Sequence, residues 1–380
     1  MLLGKRKASG PIGVDIDDDE VRLVQVECHA DRVKLLAAAR RELPADLPEQ
    51  LPARHAAIAR IVADTVFRRG FSGRRLVVCV PPTAVRIKNL RLPRIPAEEV
   101  PGAIEWEAKD RLQLDHEPHL MRYFDAGEVR QGDDLRREII LLALPTAFAE
   151  SLTTAFIEKN FQLDAIEAPP ASIARLVQQT AAGDRPVTVV DVRRRATTVV
   201  VVGGGRVLFV KSIAIGGVDM DAAAAAQLDL PVSEAKALRW RFDRDEANPV
   251  WAQGPGEPGG PGTEEDVVGE DSRRAVFEAV RPMLGDLARE VALCLRYFGV
   301  TFRGERPSTV LLSGPESESR WLTRLMIESA AVSVGVLDPL SRCETTGSLL
   351  QDAPAHGTWA TAVGSAMRRT GTHRVTKEAA

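Results

Sequence analysis

The chain has 380 residues, 44 % hydrophobic and 27 % charged, with a formal net charge of −3. That is an ordinary globular balance, long enough for two or more domains, and it gives no reason to expect nucleic acid as a partner. The four cysteines, Cys28, Cys79, Cys294 and Cys343, form no Cys-x-x-Cys, which argues against a zinc site or disulfide framework and suits a reducing compartment.

The first ten residues lack the apolar core of a signal peptide, and no apolar run approaches the length of a membrane span. Lys5-Arg6-Lys7 reads as a solvated tail with only weak attraction for anionic lipid. Strands are predicted at 11–16, 20–27 and 32–42, joined by polar turns. The first turn holds four consecutive acids, Asp17-Asp18-Asp19-Glu20. A helix over 54–71 follows, with Ile58, Ile61, Val62, Val66 and Phe67 at helical spacing, ending at Gly70. "RRLVVCVPP" is a buried strand, "AEEVPGAIEWEAKDRL" an amphipathic helix and "EIILLALP" another buried strand. Then come a helix over 146–161, a strand over 163–169 and a helix over 171–181.

The second half opens with strands in "RPVTVVDVRRRATTVVVVGGGRVLFVKSIAIGG", split by a charged turn and by Gly203-Gly204-Gly205. Helices are expected over 218–230 and 232–242. Residues 246–272, with "GPGEPGGPG", read as a flexible loop. A long helix over 273–300, a strand over 308–315, a helix over 318–330, a strand over 332–339 and a helix over 358–369 complete the chain.

An internal repeat organises these elements. "VDIDDDEVRLVQV" from Val14 and "VDVRRRATTVVVV" from Val190 superpose without gaps. Each is a strand carrying an Asp (Asp15, Asp191), a charged tip, then a strand. Two similar halves and alternating strands and helices predict an α/β protein.

These segments together resemble the actin-like ATPase superfamily and, within it, the PilM family of type IV pilus assembly proteins related to FtsA. "GVDIDDDEVRLVQVE" and "VVDVRRRATTVVVV" stand where that superfamily has its phosphate-gripping hairpins. "EWEAKDRLQLDHE" is similar to a helix of its extra 1C subdomain, "LAREVALCLRYF" to a later helix, "STVLLSGPESESRWL" to the strand and turn that hold adenosine, and "VGVLDPL" to the strand ending in Asp-Pro. The resemblance implies an actin-like (ribonuclease H-like) fold, two similar halves around a central cleft, with an inserted 1C-type subdomain. It assigns 1–10 to a basic tail, 11–82 and 164–185 to subdomain 1A, and 83–163 to 1C. Residues 186–225 and 286–380 become 2A, and 226–285 become 2B with the loop 246–272.

Phosphate tips of this kind use glycine so that backbone N–H groups approach closely. Here Asp17 and Arg193 stand at those places. The first tip offers Asp17, Asp18 and Asp19, each repelling a phosphate by about 1 kcal/mol at about 4 Å in water. The second offers Arg193, Arg194 and Arg195. In such a fold the tips face each other, so pairing is expected to fill the phosphate space. The adenosine turn keeps Ser313 and Gly314, but Pro315 has no N–H to offer. The reading expects a degenerate nucleotide cleft with no catalytic residue, metal or cofactor. The alternative keeps ATP, with the arginines on phosphate and Asp15 or Asp191 on Mg²⁺. His116 and His119 are poor metal candidates, because Pro118 prevents a helix from aligning them.

The PilM resemblance further implies a cytoplasmic scaffold at the inner face of the inner membrane. It would bind the N-terminal peptide of a PilN-like inner-membrane protein, associate with the membrane through that partner, and allow a homo-oligomer. The expected groove surrounds Trp106, Arg111, Leu112, Leu114, Arg136, Ile139 and Leu141, since extended peptides dock by backbone pairing and apolar pockets. An active actin-like ATPase and a cytoplasmic component of a type II secretion system are the alternatives.

Overall fold

A computed structural model describes residues 10–28, 33–96, 98–112, 117–180, 185–244, 264–302, 306–341, 343–345 and 356–368. The first half opens with β1 (Ile12–Ile16), β2 (Glu20–Cys28) and β3 (Val33–Glu42), an antiparallel run. Helix α1 (Leu51–Arg68) buries Ile58, Ala59 and Val62 along one stripe and leads to β4 (Arg75–Cys79), parallel to β1. A separate antiparallel sheet follows: β5 (Arg86–Pro93), α2 (Val100–Leu112), β6 (His119–Gln131) and β7 (Asp134–Pro145), in the order β5-β7-β6. The chain rejoins the first sheet through α3 (Thr146–Glu158) and β8 (Gln162–Glu167), and α4 (Pro169–Thr180) closes this half.

The second half repeats the plan. β9 (Val187–Val192), β10 (Thr197–Gly203) and β11 (Arg206–Ile213) are followed by α5 (Gly217–Leu228), α6 (Val232–Arg244) and α7 (Glu264–Phe302). Then come β12 (Thr309–Ser313), α8 (Arg320–Ala330), β13 (Ser333–Val336), β14 (Cys343–Thr345) and α9 (Ala360–Ala366). The sheet orders are β14-β3-β2-β1-β4-β8 and β11-β10-β9-β12-β13. The repeat extends to register: Asp15 lies opposite Arg22 and Cys79, and Asp191 opposite Thr198 and Ser313. Both tips close alike, with Asp17 N–H on the Glu20 carbonyl (2.9 Å) and Arg193 N–H on the Ala196 carbonyl (3.1 Å).

Helices α4 and α9 lie between the two sheets. Ile173, Leu176 and Val177 of α4 and Ala362, Val363 and Ala366 of α9 share one core with Val24 and Val26 of β2 and Val200 and Val202 of β10. The packing depends on absent side chains: a Cβ on Gly364 would stand 2.1 Å from the Ser172 carbonyl, and one on Gly13 2.1 Å from the Ala362 carbonyl.

Strands β5 and β6 fall in stretches given no element from the sequence. Three expectations change. Residues 264–272, expected as loop, are the first turns of α7. The rest of that loop, 246–263, lies outside the described residues. Helix α3 belongs with the first sheet, not the 1C insert, because Leu152 and Phe156 pack with Ile58 and Val62. Finally, β14 pairs with β3, and α9 packs on β1, so the end of the described chain returns to the first half instead of staying in 2A.

Candidate functional site

The two charged tips meet. Arg193 reaches across from the second half and donates from Nη2 to Asp15 Oδ1 at 2.8 Å and to Thr361 Oγ1 of α9 at 2.7 Å. Its Nε donates to Asp191 Oδ2 at 2.7 Å, and its Nη1 lies 4.0 Å from Asp17 Oδ2. Arg22, from inside β2, donates to the other oxygen of Asp15 at 2.8 Å and also pairs with Glu20. Further out, Arg194 lies 3.0 Å from Asp19, Arg195 3.3 Å from Asp18, and Lys236 of α6 3.2 Å from Asp19. Arg40 of β3 holds Glu20. Each of the four consecutive acids therefore has a cation, and Arg193 occupies the point where the hairpins converge.

Burial decides the electrostatics. Asp15, Asp17, Asp191, Arg22 and Arg193 are all buried. Burial raises the Asp15 pKa, but the guanidiniums of Arg193 and Arg22 outweigh it and hold the carboxyl below its usual value. At Asp17 burial wins and pushes the pKa up to about 6, against the same two arginines. The distances explain the contrast, since Asp17 Oδ2 and Arg193 Nη1 face each other without a hydrogen bond. Burial acts against the charge on Arg193, but Asp15, Asp191 and Asp17 raise its pKa well above the ordinary arginine value.

A second buried network stands behind the first. Arg239 of α6 bonds Glu316 through both terminal nitrogens, at 2.9 and 2.8 Å, and Asp221 of α5 at 2.8 Å. Arg194 also bonds Asp221, at 2.7 Å. Ser313 Oγ donates to Asp191 at 2.9 Å. Gly314 has φ +85°, and a Cβ there would lie 2.4 Å from the Val192 carbonyl. The N-terminus of α5, a natural anion site, is already engaged: Gly217 N–H donates to the Arg193 carbonyl at 2.9 Å and Val218 N–H to that of Arg194 at 2.8 Å. Sequence reasoning missed Arg22, Arg40, Asp221, Arg239, Glu316 and Thr361. Only Arg22 left a local signal, a lone charge inside an apolar strand.

Among the described residues, those expected to line the peptide groove do not come together. Ile139 and Leu141 are fully buried between β7 and α2, packed on Val100, Ile104 and Ala108. Trp106 is 72 % exposed on the outer side of α2. Arg136 pairs with Asp134 at 3.2 Å and lines a small cleft with Arg94. Arg111 and Leu112 end α2, and Leu114 and His116 lie outside the described residues. A larger cleft of about 720 Å³ opens on the opposite face of the 1C sheet. Leu120, Arg122 and Phe124 of β6, Leu142 and Leu144 of β7, and Ala165 and Ile166 of β8 line it. β6 and β8 are edge strands of their sheets, and both contribute residues to this cleft.

Neither a protein-family model nor a curated protein matches the sequence. Solved structures do. The chain is similar to one of the "PilM-PilN type IV pilus biogenesis complex", with TM-score 0.71 and 19 % identity over 94 % of this chain and 97 % of that one. It is also similar to the ethanolamine utilization protein EutJ from Carboxydothermus hydrogenoformans, with TM-score 0.52 and 13 % identity over 95 % and 89 %. With its two repeated sheets and the hairpins that meet between them, the chain has the actin-like (ribonuclease H-like) fold that it shares with PilM.

Proposed function

We propose that the protein is a PilM-like scaffold of type IV pilus assembly, working at the cytoplasmic face of the inner membrane. It would hold the cytoplasmic N-terminal peptide of a PilN-like inner-membrane protein. The observation that carries this reading is the fold shared with PilM over nearly the whole chain, the three-stranded insert included. The cleft between β6 and β8 supports it, since it offers an apolar floor to an extended peptide and is lined by the edge strand of each sheet. Among the described residues no helix is long and apolar enough to cross a membrane, so attachment in this reading comes through a partner or a surface.

The same reading makes the nucleotide cleft degenerate. ATP with Mg²⁺ fits poorly with the residues present. The Arg193 guanidinium stands between the hairpins, Asp15 and Asp191 are engaged with it, and the α5 N-terminus is capped by the second tip. Titration calorimetry should give no micromolar ATP binding; measurable affinity would restore the ATPase reading. Synthetic peptides covering the N-terminus of the PilN-like protein from the same cell should bind the full chain without ATP. Leu120→Asp, on an exposed edge position, should abolish that binding and Trp106→Ala should leave it. Equal binding by Leu120→Asp would place the peptide elsewhere.

A further inference from the structure

The end of the first sheet away from the charged tips carries a different surface. Helices α1 and α3 run side by side in the same direction, His55 meeting Ser151 and Phe148 near their starts. The loops that follow them are joined, Gln162 N–H donating to the Arg74 carbonyl at 2.8 Å. At this end Phe67 is 90 % exposed, more than any other large apolar side chain among the described residues, and Ile157 is 58 % exposed. Phe67 belongs to the stretch Phe67-Arg68-Arg69-Gly70-Phe71-Ser72-Gly73-Arg74. Arg68, Arg69 and Arg74 are all exposed. Among the described residues no carboxylate pairs with any of the three, whereas neighbouring Arg75 binds Asp164 at 2.5 Å.

The loop is held in place. Gly70 and Gly73 take φ values of +77° and +83° that favour glycine. Gln25 donates from Nε2 to the Ser72 carbonyl at 2.7 Å and to the Gly10 carbonyl at 2.9 Å, and accepts from Ser72 N–H at 2.8 Å. The loop therefore sits beside the point where the chain enters β1, just after the Lys5-Arg6-Lys7 stretch of the sequence. Besides Asp164, the described carboxylates near this end are Asp64, one turn before Arg68 on α1, Glu158 at the end of α3, and Glu27 of β2.

We propose that this face docks directly on an anionic membrane surface, with Phe67 entering the headgroup layer and Arg68, Arg69 and Arg74 against lipid phosphates. An aromatic ring wholly in water is unfavourable, and the membrane interface suits it. Cations near an anionic leaflet add attraction charge by charge. A protein partner would ask for a contiguous apolar centre with its charges at the rim; here one aromatic stands among dispersed guanidiniums. The groove lies at the far end of β8, around Glu167, so this inference is independent of the proposed peptide.

The test is flotation of the full chain with phosphatidylcholine vesicles, with and without phosphatidylglycerol. Binding is expected only with the anionic lipid. Phe67→Ser should weaken it about tenfold, and each of Arg68→Gln, Arg69→Gln and Arg74→Gln about fivefold. All four positions are exposed, so melting curves should coincide with that of the parent chain. Equal binding to neutral vesicles overturns the proposal, as does binding that Phe67→Ser leaves unchanged. So does a requirement for residues 1–9 alone, with the arginine variants unaffected. Absence of vesicle binding overturns it as well, even where the face retains an acidic protein.

Discussion

Arg193 and Asp17 are the two residues on which the cleft turns, and they respond differently to substitution. Arg193→Ala would leave Asp15 and Asp191 buried without their principal cation, and truncating one partner of a buried pair costs about 3–5 kcal/mol. Urea unfolding should show a loss of that order, while Arg195→Ala, in a pair with a 62 % exposed arginine, should cost about 0–1 kcal/mol. Asp17 has the opposite character. Its pKa of about 6 in the folded chain exceeds the 3.8 of an ordinary aspartate, so the folded state binds the proton more tightly. Between those two pH values the folded chain holds more protons than the unfolded one, and this group's contribution to stability falls as pH rises. Asp17→Asn, which mimics the protonated form, should therefore gain on the parent chain from pH 4 to pH 7, by about 1–3 kcal/mol. A difference that stays flat with pH would mean that Asp17 titrates normally.

At the scale of elements, α4 and α9 depend on close approach. Gly364→Ala forces a methyl against the Ser172 carbonyl, which is backbone and cannot swing away. Overpacking of this kind costs about 1–3 kcal/mol, to be read as a lower midpoint in chemical denaturation. The 1C sheet shows what local patterns can and cannot convey. "EIILLALP" declared β7 a buried strand but could not say which side chains face which way, because both faces are apolar. Side chains alternate along a strand. A choice of Ile139 and Leu141 therefore lands under α2, while Leu142 and Leu144, one parity away, line the cleft. β5 and β6 were harder still. "RIKNLRLP" and "HLMRYFDAGEVRQ" mix charges with apolar residues, and their ladder to β7 decides their state.

On the scale of the whole molecule, the halves are joined by buried material as well as by charge. Trp359, Ala362 and Val363 fill the space between the sheets. A chain ending at residue 355 should lose cooperative unfolding in calorimetry; a sharp transition at the parent temperature would mean that α4 alone closes the interior. The ion pairs across the cleft mouth, Arg194 with Asp19, Lys236 with Asp19 and Arg195 with Asp18, are partly solvated. They add orientation more than stability.

The sequence by itself determined the class, the two-fold repeat and the charged character of both tips. These depend on strand periodicity, turn residues and an ungapped self-match, all local properties. The reason to bring the tips together came from the resemblance to the actin-like superfamily, in which two such hairpins face one cleft. Only the tertiary structure decided which acid meets which arginine, because Asp15 and Arg193 approach through packing of whole sheets. Only it placed Thr361 and Arg239 in the networks, from helices far along the chain. It buried Ile139 and Leu141 under α2 with the larger cleft on the other face of their sheet, and it left Phe67 exposed at the end of α1. The physical reason is common to all four: burial and parity are properties of surfaces in contact, and no short stretch of chain contains both surfaces.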